Sequence, residues 1–139
     1  MAADNRYTVA GGVETGETSK GMLWTGRILS ALPIVFIVVS GIAGLLKPEM
    51  ISEGMSQLGY SMSLGLKITI IELIFIVTYL IPRTSVLGAI LMTAYLGGAT
   101  ASHLRVGQSP FIAILVAVLL WGGLYCRDAR LRSLIPLRK

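Results

Sequence analysis

Four long apolar runs dominate the pattern of hydrophobic and polar positions, at about residues 28–46, 64–81, 86–104 and 110–126. A helix needs about 20 mainly apolar residues, with a range of roughly 17–25, to cross the hydrocarbon core of a bilayer. Each run meets that length, so the pattern predicts four membrane-spanning helices. The second and third runs are joined by residues 82–85, the third and fourth by residues 105–109. Links this short force antiparallel neighbours. The expected fold is therefore all-α, an integral membrane four-helix bundle. About 27 mostly polar residues precede the first run, and Leu45 and Leu46 continue it past the small Gly41 and Ala43. It reads as a span rather than a cleaved signal peptide.

The loop over residues 47–63 carries its own pattern. Pro48 suits a first helical position and Glu49 a first turn. Ile51, Met55 and Leu58 recur at i, i+4 and i+7, and Gly59 fits a helix stop. A short amphipathic helix over residues 48–58 is expected in this first outer loop, at the membrane interface or folded onto the bundle. Residues 1–20 show no apolar period and are expected to form a flexible N-terminal cytoplasmic tail. Residues 21–126 form the four-helix domain. Residues 127–139 alternate Arg with Leu131, Leu134, Ile135 and Leu137. That basic, amphipathic tail reads either as a stop-transfer charge cluster or as a strip lying on anionic headgroups.

Composition narrows the class further. Hydrophobic residues make up 54% of the 139 and charged residues 14%, against roughly 45–50% and 25% in soluble domains. A soluble domain of this size would lack polar residues to cover its surface. The abundance of Leu, Ile and Val excludes disorder. A single cysteine, Cys126, excludes a disulfide scaffold.

The net charge is +5, and its placement argues for a membrane rather than nucleic acid. Nine of the twelve basic residues lie on the side of the two termini: Arg6, Lys20, Arg27, Arg83, Arg127, Arg130, Arg132, Arg138 and Lys139. Lys47 and Arg105 lie on the other side, and Lys67 lies within the second run. This excess sets both termini in the cytoplasm, in a bacterial-type plasma (inner) membrane. Trp24, Tyr79, Trp121 and Tyr125 fall toward the same interface, where amphipathic rings settle.

Glu72 is the residue most suggestive of chemistry. It stands about 12 Å below the outer end of the second run at 1.5 Å per residue. An ionised carboxylate at that depth is costly, so Glu72 is expected to face the interior, find partners or stay protonated. Counting down the third run reaches the same depth near Tyr95, with Thr100 about one turn above. Lys67, His103 and Arg105 lie near the outer ends and can rim an outward-facing polar mouth. Glu72, Tyr95, Thr100, His103, Lys67 and Arg105 are therefore the candidate ligand-binding residues. The bland alternatives are an interhelical clamp at Glu72, a snorkelling Lys67 and an interfacial anchor at His103. Small residues recur at spacing four in the third run: Ala89, Thr93, Gly97 and Ala101, with Gly98 on a parallel row. They are expected to form a close helix contact, with Gly122 and Gly123 as candidate receivers. No catalytic set is identified. One His and one Cys rule out paired-histidine haem ligation and thiol-pair exchange, and no metal site is expected.

The run LIPRTSVLGAILMTAYLGGATASHLRVG (residues 80–107), the KPE at 47–49, the LGYS at 58–61 and the ending from Leu119 resemble the DoxX-like family of small membrane proteins. The resemblance implies a four-helix membrane bundle. It also implies an association with thiosulfate:quinone oxidoreduction and membrane redox complexes, without assigned catalytic residues. A more distant similarity to sterol-isomerase-type bundles suggests lipophilic ligands, although one intramembrane carboxylate does not supply a two-carboxylate mechanism. Three functions are consistent with these features. The first expected is a non-catalytic accessory subunit that packs with other membrane protein subunits of a redox or photosynthetic complex. The second is a binder of a lipid or quinone within the bundle, with no other cofactor identified. The third is a proton or solute path through Glu72.

Overall fold

The computed structural model describes residues 19–134. The expectations for residues 1–18 and 135–139 fall outside the described residues. Six helices account for the described elements: α1 (Lys20–Leu46), α2 (Pro48–Gln57), α3 (Met62–Leu80), α4 (Ser85–Arg105), α5 (Phe111–Arg127) and α6 (Ala129–Leu134).

Each helix starts and stops for local reasons. The Ser19 hydroxyl accepts from the Met22 N–H at 3.3 Å, which begins α1 eight residues before the apolar run. Pro48 needs no partner for a missing N–H at the first position of α2. Gly59 leaves α2 with φ +75°, a left-handed conformation that glycine adopts without cost. The Ser61 hydroxyl then caps α3 by accepting from Leu64 N–H. Gly107, at φ +72°, turns the chain after α4.

α1 packs against α5 and α3, α5 against α4, and α4 against α3, so these four helices enclose a common interior. The buried positions of α1 (Gly26, Ser30, Ile34, Ile37, Gly41 and Gly44, with Pro33 beside Ile34) recur at spacings of four and three, which keeps one stripe inward. Ile76, Tyr79, Met92, Leu96, Val116, Leu120 and Leu124 complete the core. α2 lies on α1 and α3, where glycines make room for it. A Cβ on Gly44 would stand 2.8 Å from Ile51 Cγ1, and one on Gly65 would stand 2.5 Å from Met55 Cγ.

The interior is small beside the apolar surface. Large residues such as Leu32, Val35, Phe36, Val39, Ile74, Val77, Ile112 and Val118 are more than half exposed. The most apolar windows of α1, α3 and α4 are only 33%, 17% and 28% buried by the rest of the chain. The remainder is suited to acyl chains and not to water. These three helices are long and apolar enough to cross a membrane. α5 is equally apolar but has 17 residues, which at 1.5 Å per residue reach about 25 Å.

Candidate ligand site

α3 and α4 run antiparallel, so residues at similar distances from their linking turn share a level. Glu72 on α3 and Tyr95 on α4 meet in this way, with the Tyr95 hydroxyl beside the Glu72 carboxyl and able to donate to it. Tyr95, Ala99 and His103 follow at i, i+4 and i+8 along one face of α4. These three residues line two cavities at once.

The larger cavity, about 400 Å³, lies between α2, α3 and α4. Its walls are mainly apolar, with Met55, Leu58, Leu64, Ile68 and Ala94, and its polar groups are Tyr60, Tyr95, Ser102 and His103. The smaller, about 210 Å³, reaches from Glu72 and Tyr95 into the core between Phe36, Ile37, Leu96, Ala113 and Val116.

Hydrogen-bond directions around these cavities follow from what each group can donate. His103 Nδ1 lies 2.8 Å from the Ala99 carbonyl, which only accepts, so Nδ1 carries the proton. In the neutral form of the ring, Nε2 is then the acceptor. The Ser102 hydroxyl donates to the Gly98 carbonyl at 2.9 Å, which leaves the Tyr60 hydroxyl to donate to Ser102 Oγ at 3.1 Å. Arg105 anchors the end of α4 to the α2–α3 connection. Its guanidinium donates to the Leu58 carbonyl and stands 5.1 Å above the Tyr60 ring.

A model of the DoxX-like family matches residues 28–123. The chain belongs to the DoxX-like family. The match takes in every residue that lines the two cavities. Together with the apolar helices it makes this DoxX-like chain an integral membrane protein. No curated protein and no solved structure matches it.

The residues singled out in the sequence of this DoxX-like protein do not all converge. Glu72, Tyr95 and His103 come together around the two cavities. Arg105 ties α4 to the α2–α3 connection and lines neither cavity. Lys67 is exposed outside both cavities. Thr100 does not join Glu72, because five positions beyond Tyr95 turn the helix about 140° onto another face. Tyr60 and Ser102 belong to the larger cavity and were missed. A tyrosine just after the Gly59 stop was the available signal.

The small-residue stripe requires correction. A Cβ on Gly97 or Gly98 would meet nothing within 4 Å and Ala101 is exposed, whereas Thr93 does reach α5, its hydroxyl accepting from Trp121 Nε1 at 2.8 Å. Of the stripe only Ala89 is buried, at 1% exposure. Gly98 instead opens onto the larger cavity. The close approaches lie elsewhere. Gly26 of α1 sits against Gly123 of α5, where an added Cβ would stand 2.8 Å from the Gly123 carbonyl oxygen. Gly88 of α4 leaves room for the Tyr79 backbone. Gly123 therefore receives α1 rather than α4. The Gly122 Cβ position is 4.0 Å from Leu29, an ordinary distance.

Proposed function

We propose that this DoxX-like protein is a four-span membrane bundle that binds a lipophilic small molecule with a hydrogen-bonding head, of the quinone or quinol class. The observation that carries the reading is the shared wall of Tyr95, Ala99 and His103 between two cavities, with Glu72 beside Tyr95 in the smaller one. The larger volume suits a small-molecule pocket of about 300–1,000 Å³, and its apolar walls suit an isoprenoid or acyl portion. A quinol hydroxyl can donate to His103 Nε2. The Glu72 carboxyl accepts when ionised and donates when protonated, so it suits a hydroxyl or a ring carbonyl.

The membrane arrangement follows from the same elements. α1, α3, α4 and α5 span the bilayer, with α5 as the shortest span. α2 lies at the outer interface, its Ile51 and Met55 turned to the bundle and Glu49 and Glu53 exposed. The basic excess at the opposite end supports cytoplasmic termini in a bacterial-type inner membrane.

A second reading, an accessory subunit of a larger membrane complex, is favoured by Gly97 and Ala101, one turn apart on α4 and uncovered within this chain. Small residues on an outward helix face suit close contact with another membrane helix. The two readings are compatible. Purification in mild detergent, followed by organic extraction and mass spectrometry, tests the first. An isoprenoid quinone recovered near one per chain, and depleted in Glu72→Gln, is the expected result. Extracts holding only bulk phospholipid would count against it.

A further inference from the structure

The opposite end of the bundle carries a different kind of site. Tyr79 is fully buried, and its hydroxyl sits 2.7 Å from the Leu120 carbonyl and 2.9 Å from Ser30 Oγ. The carbonyl only accepts, so Tyr79 donates to it and the Ser30 hydroxyl donates to Tyr79. These bonds join α3 to α1 and α5 and hold the ring still. The Arg127 guanidinium stands 4.8 Å over that ring and is held there by cation–π attraction. Its Nη2 is buried and has no hydrogen-bond partner among the described residues. An unpartnered buried guanidinium nitrogen is costly, and a bound anion relieves that cost.

Arg127 lines a cavity of about 630 Å³ that Arg27 and Arg130 also line. One carboxylate shares it, Asp128, whose Oδ1 accepts from the backbone N–H groups of Arg130 and Leu131. Three cations thus face one acid that is already engaged in holding α6. Leu23, Pro82 and Leu124 supply an apolar side. The cavity sits where α1 begins, α3 turns into α4 and α5 ends. Trp24, 63% exposed with Arg27 5.6 Å over its ring, marks the same level with an interfacial aromatic. Most of these residues lie outside the stretch that the family model matches.

We infer that Arg127, with Arg27 and Arg130, forms a binding site for a phosphate group, that of an anionic lipid headgroup. The planar guanidinium fork suits phosphate oxygens, the flanking arginines supply the charge excess, and the apolar side takes the glycerol and first acyl carbons. A free phosphate shares the same chemistry, and the test separates the two sources.

The full chain in neutral detergent is titrated with phosphatidylglycerol and with phosphatidylcholine, and bound lipid is read by native mass spectrometry. Phosphatidylglycerol should bind about tenfold more tightly, and Arg127→Gln should lose about that factor. Arg83→Gln removes the same charge from the exposed α3–α4 turn outside the cavity and should leave the preference intact. Should Arg127→Gln fail to fold, Arg27→Gln and Arg130→Gln read the same loss in part. Displacement of the lipid by millimolar inorganic phosphate would assign the site to phosphate of either source, and persistence of the lipid would assign it to the headgroup. Equal binding of the two lipids by the unmodified chain, or equal losses in the Arg127, Arg27, Arg130 and Arg83 variants, would overturn the proposal.

Discussion

Gly26→Ala and Gly97→Ala make the same chemical change in two helices with opposite surroundings. At Gly26 the new Cβ would stand 2.8 Å from the Gly123 carbonyl oxygen, 2.9 Å from Cys126 Cβ and 3.1 Å from the Arg127 amide nitrogen. Two of these three are backbone atoms of α5 and cannot swing aside, so α1 and α5 have to separate by several tenths of an ångström. Overpacking of this kind costs roughly 1–3 kcal/mol. Alanine returns about 0.5–1 kcal/mol by restricting the unfolded backbone. The net loss at Gly26 is then about 1 kcal/mol. At Gly97 nothing lies within 4 Å, so only the gain of about 0.5–1 kcal/mol remains. The two variants should differ by about 2 kcal/mol. Unfolding in mixed micelles with increasing dodecyl sulfate, followed by loss of helicity, measures both. Equal midpoints, or a Gly97→Ala variant less stable than Gly26→Ala, would refute the assignment of the close contact to α1 and α5.

Tyr79→Phe should destabilise the bundle by about 1–2 kcal/mol, because Ser30 Oγ and the Leu120 carbonyl lose a buried partner; the same micelle titration reads it, and an unchanged midpoint would contradict the bonding assigned there. Glu72→Gln should fold as the unmodified chain does, whereas Glu72→Leu should lose about 1–2 kcal/mol by leaving the Tyr95 hydroxyl unpaired; equal stability of the two variants would remove the clamp between α3 and α4. In a Cys126→Ser background, an impermeant thiol reagent applied outside should label Ser56→Cys and Ser109→Cys but not Ser133→Cys, and the opposite pattern would invert the proposed orientation.

The helices were legible because long apolar runs have few other readings. The start of α1 was less so: Lys20, Thr25 and Arg27 interrupt the apolar pattern, and only the Ser19 cap marks where the helix begins. The common level of Glu72 and Tyr95 could be counted from the outer ends of the two runs, because antiparallel helices of known rise leave one free number. Thr100 failed the same count because depth alone ignores rotation about the helix axis. The stripe through Gly97 shows the limit of spacing. Periodicity says which residues share a face, but not what stands opposite. Gly26 and Gly88 make close crossings from isolated positions, and Gly123, a candidate receiver from its sequence, takes α1 rather than α4, each set by a partner on another helix that no local pattern announces. The cation cavity was hidden for the same reason, since Arg27 and Arg127 are a hundred positions apart and meet only when α1 lies on α5.

Ala99 offers the most direct test of the proposed ligand site, because it lines both cavities and makes no side-chain hydrogen bond. Ala99→Leu fills space on both sides of the wall and leaves Glu72, Tyr95 and His103 in place. A short-chain quinol and the matching quinone are titrated into the purified protein and the Ala99→Leu variant, with bound ligand read by native mass spectrometry. The account predicts one ligand per unmodified chain and a loss of at least about tenfold in Ala99→Leu, equivalent to about 1.4 kcal/mol. No binding by the unmodified chain, or equal binding by the variant, would contradict it.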